Sequence, residues 1–224
     1  AAAGANLVQV LNALRSAAAP QFVPAHEQGT QAYEAFIAQT GHVPTRDNLH
    51  DFFNALVWLR FPAFKRRLNA LHAAEIARHG VSGRRGAARD ALTLFDENGA
   101  LFCAPPTLTQ ALQQRNWSEL FVTRRALWGE TQLVIVGHAL LEKLVQPRKT
   151  STAHVWFAQP SWCAGADDAV PDVDPCSRAD APLPVLGVPH WWPENQAPEF
   201  YADPAVFRPA ENLRSTNSAR RCRS

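Results

Sequence analysis

The sequence predicts an α+β fold: a helical N-terminal half, a β-hairpin plus strand–helix–strand unit forming a small sheet, and an irregular Pro/Trp-rich C-terminal wrap. Three observations predict it. Apolar residues recur at three- and four-residue spacing through most of the first 80 positions, the period of an amphipathic helix. Between residues 90 and 158 that period gives way to alternating or continuously apolar runs. From residue 147 onward prolines crowd the chain, which argues against regular helices and central strands. Strands that follow a block of helices make α+β rather than repeated βαβ units.

In chain order, Leu7, Val10, Leu11 and Leu14 share the face of an amphipathic helix. Its nearest charge, Arg15, follows the apolar run, the reverse of a secretory signal. Residues 30–39 form a short helix that stops at Gly41. Asp47 or Asn48 caps the next helix, whose apolar face runs from Leu49 to Leu59 and ends near Pro62. Residues 62–79 form a helix with Phe64, Leu68, Leu71 and Ile76 on one face. The segment ALTLFDENGALFC (91–103) reads as strand, Asn98-Gly99 turn, strand. Residues 107–115 and 117–128 read as helices, 133–136 as a buried strand, 138–146 as a helix and 153–158 as a strand. Trp162, Trp191, Trp192, Phe200, Tyr201 and Phe207 are too many aromatics for a free linker, so 160–210 is expected to wrap and dock. One domain over 1–210 follows, with 211–224 a disordered tail.

Composition narrows the function classes. Lys plus Arg number 22 against 20 Asp plus Glu, so no basic field covers the whole protein. A nucleic-acid reading must rest on local clusters: Lys65-Arg66-Arg67, Arg84-Arg85, Arg89 and Arg124-Arg125, with Trp117 or Trp128 for stacking. Cys103, Cys163, Cys176 and Cys222 form no C-x-x-C pair, so reduced thiols in a cytoplasmic protein are expected. No stretch reaches the ~20 apolar residues of a membrane span. Nucleophile elbows and Gly-rich phosphate loops are absent.

Candidate chemistry lies in four places. His138 and Glu142 are four apart on one helix, just after the strand at 133–136, and can present an imidazole and a carboxylate to one point. A helix N-terminus also lowers an imidazole's proton affinity. The competing reading is a packed cap and a surface acid. His50, Asp51 and Asn54 are polar groups within FFNALVWL, where burial demands partners; first-turn electrostatics is the alternative. His72, Glu75 and His79 can share a helix face, although His79 is accounted for by the helix end. His154 opens a strand. If that strand ran parallel beside 133–136, it would lie about a strand length, roughly 15 Å, from His138. A shared centre therefore requires antiparallel pairing or a shorter strand. Asp96 and Glu97 read as turn residues.

The stretches HDFFNALVWLRFP (50–62), LNALHAAEI (68–76), RDALTLFDENG (89–99), GHALLEKL (137–144), TAH (152–154), and PVLGVPHWWPEN with FYADPAVFRP (184–209) together resemble the DUF3025 family, over roughly residues 30–210. The resemblance implies a bacterial, soluble, single-domain protein and no particular activity. It also implies glycine where this chain has His190.

The expected function is a metal-dependent or acid/base hydrolase-like enzyme on a small-molecule substrate. His138, Glu142, His50, Asp51 and Asn54 are its catalytic candidates. A divalent metal would take His138, Glu142, His50, Asp51 and His154 as ligands, and the docked tail would cover the pocket. The alternative is an interaction or nucleic-acid-binding module using the Arg clusters and Trp-rich tail.

Overall fold

The computed structural model describes residues 6–80, 86–158 and 181–210. It has the expected α+β organisation, with two small sheets among the described residues. Helix α1 (Leu7–Leu14) opens with a capping box: Asn6 Oδ1 accepts from Gln9 N, and Gln9 Oε1 from Asn6 N. Helix α2 (Tyr33–Thr40) ends at Gly41, whose φ of 71° favours a residue without Cβ. Strands β1 (Gln21–Pro24) and β2 (His42–Thr45), which the sequence reading omits, flank it and pair in parallel. Asn48 caps α3 (Leu49–Arg60), and Pro62 occupies the first position of α4 (Pro62–His79), where its missing N–H costs nothing.

The expected hairpin is a correction. Residues Ala87–Asn98 form helix α5, and only Gly99–Cys103 is strand, β3. The alternation of ALTLF misled because Leu92 and Phe95, three apart, are the buried pair. Asn98-Gly99 closes a helix instead of a hairpin, with Gly99 at an ordinary φ of −73°.

Helix α6 (Pro106–Gln113) is followed by a π-type turn and a 3-10 turn over Glu119–Glu130, where a longer helix was expected. Strand β4 (Gln132–Ile135), helix α7 (His138–Lys143), β5 (Thr152–Phe157) and β6 (Ala181–Pro184) complete the order. The main sheet runs β4-β3-β5-β6: β3 pairs antiparallel with β4 and parallel with β5, and β6 pairs antiparallel with β5. Pro182 and Pro184 are tolerated in β6 because it lies at the sheet edge.

Side chains alternate across β3. Ala100 and Phe102 enter one core with Leu112, Phe121, Trp128 and Leu183, while Leu101 enters the other with Phe64, Leu92, Phe95 and Trp156. Of the C-terminal aromatics, Tyr201 and Phe207 dock, packing on Trp117 and Phe121 in the first of these cores, whereas Trp191 stays 42% exposed. Residues 211–224, Trp162 and three of the cysteines lie outside the described residues.

Candidate acid–base site

Four helices bring their polar residues together on the second face of the sheet. His50 sits in the first turn of α3, Lys65 in the first turn of α4, Asp96 in the last turn of α5, and His138 with Glu142 on α7. Helix α7 packs against both α3 and α5. Its approach is set by Gly137: a Cβ there would strike the backbone of Asn98 and Gly99. Instead Val136 N and Gly137 N both donate to Gly99 O, at 3.0 and 2.9 Å.

The result is a continuous array. Glu142 Oε2 lies 2.9 Å from His50 Nδ1, His50 Nε2 lies 3.1 Å from His138 Nε2, and His138 Nδ1 lies 3.7 Å from Asp96 Oδ2. Asp96 Oδ1 accepts a hydrogen bond from the buried Lys65 ammonium. The two imidazoles meet edge to face, with centroids 4.6 Å apart. His138 and Glu142 therefore do converge, but through His50.

Burial is the dominant field. It lowers His138 from 6.5 to about 4, against the pull of Asp96 and with help from Lys65 and His50. The helix terminus that suggested a neutral His138 is thus the lesser cause. Burial also lowers His72, whose Nδ1 stands 4.0 Å from Glu34 Oε1. For Asp96 burial pushes upward, yet the Lys65 and His138 charges outweigh it and hold the carboxyl below its ordinary value.

A cavity of about 460 Å³ borders His50, His138, Asp96 and His72. Asp51 and Asn54 line it as well; the Asp51 carboxylate and the Asn54 amide nitrogen are engaged, whereas Asn54 Oδ1 is buried without a hydrogen-bond partner among the described residues. Asp51 accepts from Arg46 N (2.6 Å), Nε (3.1 Å) and Nη2 (2.8 Å). Asn54 Nδ2 donates to the Tyr33 hydroxyl at 2.7 Å. Both therefore hold α3 to the segment before it and stand outside the array. His154 lies elsewhere, lining a second cavity of about 860 Å³ that it shares with Glu142. The geometric objection to its approach is nonetheless removed. With β3 between β4 and β5, those two strands run antiparallel, and Gly99 pairs with His154 while also bonding Gly137.

The five expected metal ligands are thus divided between two cavities and an Arg46 clamp. Among the described residues no group of three or more His, Cys, Asp or Glu side chains is placed to hold a metal ion. Asp96 and Lys65 were overlooked as site residues, the one read as a turn acid and the other as part of a basic cluster. The signal was present in the first case, since Asp96 follows Leu92 by four and so shares its buried helical face.

The basic clusters disperse as well. Lys65 and Arg89 are buried, Arg66 donates to Ala18 O and Arg124 to Glu119. Arg125 clamps the C-terminal segment through Asn195 O, Asn195 Oδ1, Gln196 Oε1 and the Tyr201 hydroxyl. Trp117 and Trp128 are buried, each indole N–H bonded to a backbone carbonyl. Arg84 and Arg85 lie outside the described residues. The C-terminal aromatics cover the far core, and no described residue after His138 lines the 460 Å³ cavity. No membrane-crossing helix occurs among the described residues.

Residues 20–211 match the model of a family described as "Protein of unknown function (DUF3025)". No curated protein and no solved structure matches the chain.

Proposed function

The chain belongs to the DUF3025 family, and we propose that it is an enzyme that performs general acid–base chemistry on a small molecule. Glu142 and His50 are the proton-transfer pair, and His138, Asp96 and Lys65 form the buried half that orients it. The supporting observation is a mismatch between contacts and protons. The array has three positions that each need one N–H: His50 to Glu142, His50 to His138, and His138 to Asp96. Two neutral imidazoles carry only two. The widest contact, at His138 Nδ1, lacks a hydrogen-bond partner. One added proton completes the set and leaves an imidazolium between two carboxylates. A group that gains a proton with so little rearrangement suits transfer to and from a substrate.

Side-chain nitrogen NMR tests the reading. On acidification the array should take up one proton, in its His50–Glu142 half, while the His138 proton moves from Nε2 to Nδ1. Independent titration of the two rings, unchanged in Glu142→Gln, would refute it. Stoichiometric divalent metal lost in both His50→Ala and His138→Ala would instead transfer the site to metal-dependent chemistry.

A further inference from the structure

Both ring nitrogens of His50 are engaged inside the array, and His138 Nδ1, which has no hydrogen-bond partner among the described residues, is buried 3.7 Å from Asp96. An incoming molecule therefore meets the array at Glu142, whose Oε1 accepts no hydrogen bond from a described residue. That carboxylate is half-buried and lines the second cavity, of about 860 Å³. The two cavities differ in sign. The first is lined by four carboxylates (Glu34, Asp51, Asp96 and Glu97) against the one guanidinium of Arg46. The second sets Lys143 and Arg148 around the one carboxylate of Glu142.

We infer that the second cavity is the substrate site, and that it takes a small molecule bearing a carboxylate or phosphate. The inference rests on the acid–base reading above and adds to it the place and the charge of the substrate. Arg148 is exposed, and no described carboxylate pairs with it, so its fork is free to receive an oxyanion. Lys143 spends one donor on Asn98 Oδ1 at 2.9 Å and keeps two. Ser151 is buried beside them; its Oγ accepts from Arg148 N at 3.3 Å, which leaves the hydroxyl proton to donate. Leu49 and Val145, both exposed large apolar residues, supply a wall for the carbon part of such a molecule. The volume lies within the range of small-ligand sites. A substrate anchored by its oxyanion between Lys143 and Arg148 would expose its remainder to Glu142 Oε1, and the proton it releases would enter the array there.

Backbone amide NMR with inorganic phosphate, and separately with malonate, tests this. Saturable shifts confined to the lining of the second cavity, residues 139–154 with Leu49 and Asn98, are expected with at least one probe. Arg148→Ala should weaken that binding by about tenfold. Glu142→Gln should leave it unchanged or tighten it, because a repelling carboxylate is removed. The inference is overturned if neither probe gives saturable shifts, if Arg148→Ala binds as well as wild type, or if the shifts fall on Gln28, Tyr33 and Glu34 around the first cavity. Failure of the acid–base reading looks different: oxyanion binding would persist while the His50 and His138 rings titrate independently.

Discussion

His138 carries the clearest residue-scale consequence. Its folded pKa, about 4, lies below its ordinary 6.5, so between those values the unfolded chain binds more protons than the folded one. Stability contributed by the neutral ring is fully present above about pH 6.5 and is lost as pH falls toward 4. The size is on the order of 3 kcal/mol. Urea unfolding from pH 7.5 to 4 should show this decline, and His138→Gln should flatten it. His72 shifts in the same direction and adds to the slope. A second residue gives an independent check. His190 adopts φ 69° in the left-handed region, the position where the family resemblance expects glycine. His190→Gly should raise stability by about 0.5–1 kcal/mol in thermal melts, since a Cβ is strained there.

At the scale of elements, the site depends on how closely helices approach one another. The Lys65–Asp96 pair joins α4 to α5 under the array. Lys65→Met leaves the cavity-lining Asp96 carboxylate, 21% exposed, without its cation and should cost about 1–3 kcal/mol, whereas Lys65→Met with Asp96→Leu should recover most of that loss. Denaturant midpoints of the two variants decide it. Gly137→Ala would force α7 away from the Asn98–Gly99 backbone and open the His138–Asp96 gap; a loss of about 1–3 kcal/mol is expected. The same elements show what was legible beforehand. Helices α3 and α4 could be read from their caps, Pro62 and apolar spacing, and His50, His138 and Glu142 from polar residues inside apolar faces. Helix α5 could not, because A-L-T-L-F satisfies a two-residue period as well as a helical one, and only packing against Trp156 and Phe64 selects the helix. Misplacing α5 also hid Asp96.

For the whole molecule, the C-terminal segment is a structural member. Strand β6 completes the sheet edge, and Tyr201 donates to Gly187 O at 2.9 Å while Arg125 ties Asn195 beneath it. Ending the chain at residue 180 should therefore abolish cooperative unfolding, seen as loss of near-ultraviolet circular dichroism and gain of dye binding to exposed apolar surface. By itself the sequence determined the α+β composition and the capped helices, and it singled out His50, His138, Glu142 and His154 among the polar residues that line the two cavities. Those features follow from periodicity and local chemistry, which act within a few residues. Tertiary structure alone decided that β3 would lie between β4 and β5. It also placed Asp96 and Lys65 beneath the histidines. Each of these is a contact between segments distant along the chain, settled by which faces can be buried together and by the need of every buried charge for a partner.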